Sequence, residues 1–522
     1  MRNLGAPSLP SARTVRRRLR RLAGLSACAG GLMLAGCAVG PNFASPPTPD
    51  VAGYTPEALT SPRSAEGGPR ISGQRFANGA DIPTRWWAAF RSRPLNDLIR
   101  LSVDHNPSLQ SAEAAIRVAQ FNALAQRGLF LPQLGINYTG TDQQLATTPQ
   151  QDQVRYSLHT AQLNVSFTPD IWGGNRRAVE SLDAQTEQAQ FQLEAAYLTL
   201  TANVVTAAIQ EASLRGQIAA TQRLIKIARD ILGILKNQFN AGQIAQVDVL
   251  TQETLLAQAE QALPPLQKQL AVQRDLLTAL AGQFSADEVL QKFDLQRLTL
   301  PANLPVSLPG TMVRRRPDVR AAEAAVHAAS AQVGVAVAAR LPNITLSANP
   351  GVAAPSFAAM FTPSTLFYTV AASATQTVFD GMTLYHKQKA AEAGLEQAEA
   401  QYRQAVITAM QNVADALRSL QADARSVQAA IKAENAARAS LDIVQKQLAL
   451  GQINQVTLLN AQQAYFNTAI ARVQADANRL SDTAALFMAL GGGWPADCPS
   501  NDWRTCVFDD VQVAASTPKP AQ

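Results

Sequence analysis

The chain has 522 residues, 16% of them charged and 6% aromatic, with a formal net charge of +6. Seven arginines lie between Arg2 and Arg21 with no acid among them, and without residues 1–36 the balance is 38 basic side chains to 39 acidic ones. The positive charge is therefore local, which excludes a basic nucleic-acid surface and leaves no nucleic acid among the expected partners, while the Ala- and Gln-rich halves suit long helices with thin packing seams.

The basic run is followed by a short apolar stretch from Leu22 to Gly36, too short to stay in a bilayer as a spanning helix. Residues 1–36 therefore read as a signal peptide. Its end, Leu34-Ala35-Gly36-Cys37, is similar to the lipobox of bacterial lipoproteins, which implies that Cys37 carries lipid and becomes the first mature residue. Ala38 follows where Asp would favour retention in the inner membrane, so the expected site is the outer membrane. Residues 37–85 are rich in Pro, Gly, Ser and Ala without a sustained period and read as an extended, lipid-anchored linker. Trp86 and Trp87 open the folded part.

A helix is expected over Leu95–Ala125, interrupted at Asn106-Pro107 and stopped by Pro132. QLGINYTGTD and YSLHTAQLNVSFTPDIWG then alternate apolar and polar residues as strands do. From Asn175 to Ala241 no proline occurs. A helix of that length spans about 100 Å, far beyond an ordinary globular helix. A return helix runs from Val247 to Gly282, with Pro264-Pro265 expected as a kink or a joint between shorter helices. SADEVLQKFDLQRLTLPANLPVSLPG connects to a second half of the same grammar: NITLSANPG and LFYTVAASATQTVFDG as strands, a proline-free run from Met382 to Ala449, and a helix from Val456 to Leu490.

The two halves share phrases. QFNAGQIAQVDVL at 238–250 and QLALGQINQVTLL at 447–459 agree at seven of thirteen positions with an offset of 209, and NPSLQSAEAAIRVA from Asn106 matches RPDVRAAEAAVHAA from Arg316 at 210. Blocks this far apart whose offsets agree to within one residue indicate a tandem duplication of a domain-sized unit. The expected organisation is a first repeat at 86–282, a connector at 283–304, a second repeat at 305–490 and a C-terminal tail at 491–522. In the tail, Cys498 and Cys506 are spaced for a local disulfide in an oxidising periplasm.

Four strands per chain cannot close a barrel, and open edges are not tolerated in lipid. If the strands span a membrane, several chains must share one barrel, and three copies supply twelve strands, an even number in the observed range. Gln162, Asn164 and Ser166 form a polar face that suits a water-filled lumen as well as it suits solvent, so soluble hairpins on a lipid-anchored periplasmic coiled-coil scaffold without a pore stay open at this point.

Taken together, the lipobox, CAVGPNF, Arg85-Trp86-Trp87, the strand entries LPQL and LPNI and the paired phrases AGQIAQVDVL and LGQINQVTLL resemble the outer-membrane factor family, in its lipoprotein branch of TolC- and OprM-like channels. The likeness covers Cys37 to about Trp494. It implies a mainly α protein with a small transmembrane β part: a homotrimer with a twelve-stranded barrel in outer-membrane lipid and a long helical periplasmic barrel. It further implies a passive conduit in a tripartite efflux system, fed by a periplasmic adaptor and an inner-membrane pump of the RND type. The repeated phrases then become the periplasmic turns of the helix pairs. Gly242, Gln243, Asp248, Gly451 and Gln452 would meet the adaptor, and Val456, Thr457, Leu459 and Asn460 would constrict the tunnel. Val247, Leu250, Val456 and Leu459 are expected to restart the apolar face of the return helices. Related proteins often place acids after the second glycine, whereas Thr457 and Asn460 are uncharged here, so an apolar and hydrogen-bonding constriction is expected.

His105, His159, His327 and His386 stand apart, with no metal-ligand spacing. Arg314-Arg315-Arg316 fits a solvated helix start better than an anion site. Gly491-Gly492-Gly493 ends a helix and follows no strand, so it is not a phosphate loop, and a hydrolase elbow is missing. No catalytic residue, metal or cofactor is expected.

Overall fold

The computed structural model of the chain describes residues 38–47, 49, 51, 53–57, 73–80, 82–145, 154–450, 452–494 and 503–508. It divides into two compact units, Met1–Ser45 with Val118–Thr186 and Ala324–Glu399, and Pro46–Arg117 with Glu187–Glu323 and Ala400–Gln522. Strand β1 (Arg75–Asn78) comes first. Then α1 (Arg93–His105), α2 (Pro107–Arg127), β2 (Gln133–Leu145), β3 (Val154–Phe167), α3 (Gly174–Asn240) and α4 (Gln246–Leu280) follow. After β4 (Asn303–Val306), the order recurs as α5 (Pro309–Arg315), α6 (Pro317–Ala338), β5 (Asn343–Ala354), β6 (Leu366–Thr375), α7 (Thr383–Ala449) and α8 (Gln455–Ala489), closed by α9 (Trp503–Phe508). Both long outgoing helices have 67 residues and both return helices 35. The return helix α4 runs unbroken through Pro264 and Pro265. The expected joint is missing because a long helix is held by packing along its length and loses only the local backbone bonds at a proline.

In the first unit, β2, β3, β5 and β6 form one antiparallel sheet in that order, so β2 and β6 are its edges. The register sorts its residues by chemistry, because side chains paired across strands share a face. One face carries the rows Leu134–Val165–Ala348–Val370 and Tyr138–Ala161–Val352–Leu366. The other carries Gln133–Ser166–Ser347 and Asn137–Gln162–Gly351, with Asn349 opposite Thr369.

The same unit holds the N-terminal segment. Gly40 and Gly334 touch so closely that a Cβ on Gly40 would lie 2.4 Å from the Gly334 Cα, a contact that only glycine permits. The amide of Val39 donates to the Trp172 carbonyl at 3.1 Å. Buried Arg177 donates from Nε to the Val39 carbonyl at 3.1 Å and from Nη2 to Asn42 Oδ1 at 2.6 Å, and its Nη1 pairs with Glu180 at 2.8 Å. Glu180 also lies 3.1 Å from His327 Nε2, and the His327 ring stacks on Phe43 at 4.3 Å.

The second unit ties its connectors to its helices through buried charge. Glu211 of α3, fully buried, accepts from Arg274 of α4 at 3.0 Å, from Arg215 at 2.7 Å and from the Phe293 amide at 2.9 Å. Arg274 also bonds Glu288 and donates to the carbonyl of Val289 at 2.6 Å, so one guanidinium fastens the segment after α4. The strand β1 pairs in parallel with β4, which orders part of the linker that the sequence presents as extended. Arg316 of the triple-arginine run is buried, chelates Asp318 and donates to the Ala489 carbonyl at 2.6 Å. It is a structural tie, and the expectation of a solvated helix start fails for this one arginine. An aromatic knot of Trp86, Trp87, Phe90, Tyr197, Phe487 and Trp503 fills the core beside these connectors.

Replacing Arg274 with Met leaves Glu211 buried with one partner fewer, and the expected loss is about 3 kcal/mol. A fall in melting temperature of the detergent-solubilised protein, with the double variant Arg274→Met/Glu211→Leu recovering part of it, checks this.

Candidate functional site

Two sites meet the functional expectations: the pair of helical turns at the ends of α3 and α7, and the two-faced sheet. The first turn ends α3 by a left-handed cap. Gly242 has φ +72° in open space, the Gly242 amide donates to the Phe239 carbonyl at 2.8 Å and the Gln243 amide to the Gln238 carbonyl at 2.9 Å. In the second turn the Gln452 amide donates to the Gln447 carbonyl at 2.9 Å, the same bond in the repeated phrase. Gly451 lies outside the described residues, as do Cys37 and Cys498. Cys506 is half-buried on α9 and disulfide-bonded.

The two turns share one core. Ile231, Leu232 and Leu235 of α3, Val249 of α4, Leu441 and Val444 of α7, and Leu458, Ala461 and Tyr465 of α8 form a single buried cluster. Three exposed or half-exposed residues of the first phrase surround it: Gly242, Gln243 and Asp248. Asp248 sits in the first turn of α4, where its charge meets the positive end of the helix dipole. Gln452 is exposed in the second phrase.

The expected apolar face is corrected here. Val456 is 59% exposed, and Val247 and Leu250 are exposed as well, whereas Leu458 is 0% exposed and Val249 is buried. Leu459 is half-buried and Asn460 exposed. The inward face starts two residues after Val247 and Val456, because Ala and Gln surround both phrases and apolar residues fall on more than one face of each helix. Thr457 is tied to the turn: its amide and its hydroxyl both reach Asn454 Oδ1, at 3.0 and 2.8 Å, so Asn454 caps α8. Two glutamines that the sequence reading did not single out cross this core. Gln455 Nε2 donates to Gln252 Oε1 at 3.1 Å and Gln252 Nε2 to the Ala228 carbonyl at 3.1 Å, both residues being buried. The available signal was Gln455 itself, one of the repeated letters of the phrase.

Farther along the same helices, α7 and α8 bring two acids together. Burial, and then the hydrogen bond and charge of Asp482, push the Asp423 carboxyl up to about 7. Buried Arg479 stands beside them with Asp476, and its Nε donates to Gln74 Oε1 at 3.2 Å, while Gln74 Nε2 donates to Thr483 Oγ1 at 3.1 Å. This chain of bonds fastens the residue before β1 to α8. Among the described residues, no three His, Cys, Asp or Glu side chains converge as metal ligands.

The sheet's apolar face is uncovered. Ile136 is 86% and Tyr368 76% exposed, and Leu134, Leu366 and Val370 are comparably bare. The band ends in polar contacts at the β2–β3 hairpin end. Tyr138 Oη lies 2.9 Å from His159 Nδ1, and beyond it Asp142 pairs with Arg155 at 2.5 Å. Phe357 packs edge-on to Tyr138, with Phe361 beside it. An apolar strip edged by aromatic and hydrogen-bonding groups is the pattern of a surface that meets lipid and then water. Water would penalise this surface, since large apolar side chains on both edge strands are 70–86% exposed and the rows between them are apolar as well.

Two outcomes follow from these geometries. Asn454→Ala should cost about 1 kcal/mol by uncapping α8, read as a drop in melting temperature that Asn454→Asp largely avoids. The folded state holds on Asp423 a proton that the unfolded chain releases at the ordinary 3.8, so stability should fall as pH rises from there to about 7. Melting curves across that window should show the fall in the parent and a flatter profile in Asp423→Asn.

Comparison with known proteins agrees with this geometry. The profile of the outer membrane efflux protein family matches residues 98–283 and again 308–492, well over half of the chain. A pyoverdine export outer membrane protein of Pseudomonas putida is 28% identical over 463 residues, which cover 87% of this chain and 96% of that protein. The outer membrane protein OprJ of Pseudomonas aeruginosa is 26% identical over 478 residues, covering 90% and 96%. Among solved structures, the outer-membrane channel OprN superposes with a TM-score of 0.78 at 25% identity, covering 88% of this chain and 100% of that one. VceC of Vibrio cholerae gives 0.74 at 25%, covering 80% and 100%. An uncovered apolar sheet face, paired long helices that share one core at their turns, and a family profile matched in both halves lead to one conclusion: the chain belongs to the outer membrane efflux protein family.

Proposed function

We propose that three copies of this chain form an outer-membrane duct, in which their sheets close one twelve-stranded barrel and their helices form a periplasmic tunnel. The duct passively conducts small molecules that an RND-type inner-membrane pump delivers through a periplasmic adaptor. The observation that carries this reading is the sheet itself. Its apolar face is bare, its edges β2 and β6 pair with no other strand among the described residues, and its strands alternate in direction. In lipid such a sheet must pair its edges, and with β2 and β6 antiparallel, β6 of one copy can meet β2 of the next. The chain supplies a path and no catalysis. The export of pyoverdine by the first relative, and the toluene efflux and fusaric acid resistance of two others, support small organic molecules as cargo.

Lipid on Cys37 belongs to the same reading. Ala38 and Val39 are held beside Trp172 and Gly173, close to where β3 ends, which supports an anchor close to the barrel's periplasmic side. Outer-membrane lipid therefore contacts the chain at both its anchor and its barrel. At the turns, Gly242, Gln243 and Asp248 of the first phrase and Gly451 and Gln452 of the second offer grooves for an adaptor's helical hairpin. Val456, Leu459 and Asn460 are the proposed constriction, with Thr457 supporting it by its bonds to Asn454. The bridge between Cys498 and Cys506 is proposed to secure the tail.

Conductance of the purified protein in a planar bilayer tests the duct: discrete steps from SDS-resistant, heat-dissociable trimers are expected. A protein freed from membranes by removing its lipid alone would instead be a periplasmic scaffold, and the proposal would fall. Cys37→Ala should abolish metabolic lipid labelling while trimers persist. Placing Arg at both Gln243 and Gln452, which are exposed, should lower export by about tenfold or more through a misfitted adaptor groove, with trimer content unchanged; export at the parent level would remove the turns from the adaptor interface.

A further inference from the structure

We infer that the barrel lumen is an uncharged surface that admits net-neutral polar molecules and selects neither cations nor anions, so that this segment adds no charge filter to the cargo. The inference rests on the reading of the sheet as one third of an outer-membrane barrel, and it concerns the face opposite the lipid. Across the described residues of β2, β3, β5 and β6 the only Asp, Glu, Lys or Arg side chains are Asp142 and Arg155. By the register both belong to the lipid-side face, and they neutralise one another in a 2.5 Å pair. The opposite face carries no charged side chain, and amides and hydroxyls make up most of it. Thr139 stands opposite Thr160, Asn137 opposite Gln162, and Asn349 opposite Thr369. Gln162 Nε2 donates to Asn164 Oδ1 at 2.7 Å within this face.

Towards the β2–β3 hairpin end this face becomes apolar, with Leu158 opposite Thr141, Tyr156 opposite Gln143 and Val154 opposite Leu145, all uncharged, and on β6 an aromatic ring interrupts it. Phe367 is opposite Gly351, and its ring tip would lie 2.9 Å from a Cβ at that position. The ring therefore lies over the glycine, and the wall presents a flat aromatic surface among amides there. Gly351 makes this possible, since a side chain at that place would also strike the Ala161 carbonyl at 2.7 Å.

The physical consequence is electrostatic. A fixed charge in a narrow pore acts over about 8 Å at physiological ionic strength, and its field is focused by the apolar wall behind it. With none on this face, amides and hydroxyls can turn a donor or an acceptor to a passing group of either sign. In the same compact unit, Arg127 pairs with Asp183 at 2.8 Å, Arg176 with Asp170 at 3.3 Å and Lys389 with Glu392 at 2.7 Å, so these charges are matched as well. The cargo such a wall suits is a neutral or zwitterionic small molecule with hydrogen-bonding groups and aromatic parts.

The test uses the full-length protein in outer membranes of intact cells, where a lumen open to the exterior can be reached whether or not the periplasmic turns are closed. Thr160→Cys and, separately, Ile136→Cys are treated with a cationic and an anionic membrane-impermeant methanethiosulfonate, each rate being normalised to that of a free thiol and to the parent. The expected result is reaction at residue 160 with both reagents at normalised rates within about twofold of each other, and none at residue 136. Adding Thr139→Asp, whose position is opposite Thr160, should raise the cationic reagent's relative rate about threefold or more, which shows that the assay senses charge. A clear preference for one reagent at residue 160 without the added Asp, or no reaction there while residue 136 is also silent, would overturn the uncharged open lumen. Reaction at residue 136 with residue 160 silent would instead invert the sidedness of the sheet and overturn the proposed function on which this inference stands.

Discussion

A β-strand carries a backbone donor or acceptor at every residue, and in hydrocarbon none of these can be left unpaired. The sheet β2–β3–β5–β6 satisfies this at its three internal strand pairings and leaves its two edges open. The apolar face cannot remain in water, the edges cannot remain in lipid, and both are relieved together if the edges pair with other copies. In the proposed duct a single chain is thus an incomplete object, and its backbone is completed by its neighbours.

The helical part solves a different problem. Helices of 67 residues with few aromatic residues bury little apolar surface per turn, so stability is distributed along seams and concentrated at a few knots. One knot is the shared core of the two turns, where Leu458 and Val249 come inward and a Gln455–Gln252 bond crosses it. Another is Glu211 with Arg274, where a buried ion pair is tolerated because the connector's amides and carbonyls complete its hydrogen bonds. A third is Arg479 with Gln74 and the Asp423–Asp482 pair. These polar knots give long, weakly patterned helices a unique register against their partners.

Much of this was legible in the sequence. The 67-residue helices follow from the absence of proline, and the strands from their alternation. The faces of the sheet follow from period two, which leaves one choice of register once a face is apolar. Sequence reading failed where the period is 3.6 and the composition is Ala and Gln. Val247 and Val456 looked like the inward positions, yet Val249 and Leu458 are the buried ones, because no strong apolar stripe fixes the phase. It also failed at β1 and β4, four residues each in proline-rich connectors, whose pairing is non-local. The buried roles of Arg274, Arg316 and Arg479 were hidden for the same reason: their partners are distant in the chain. The turns were recognisable as a repeated phrase, but the cap role of Asn454 and Thr457 depends on local backbone geometry.

In the proposed duct, β6 of one copy joins β2 of the next and the ring closes at three. Paired cysteines placed on the lipid-side face of the two edges, scanned as Ile136→Cys with Val370→Cys and with neighbouring β6 positions of the same parity such as Tyr368→Cys, report this directly. Mild oxidation in outer membranes should give covalent species that stop at trimers for the pairs in register, while each single variant gives none. Absence of any inter-chain link across the whole scan, or a ladder continuing past three, would contradict it.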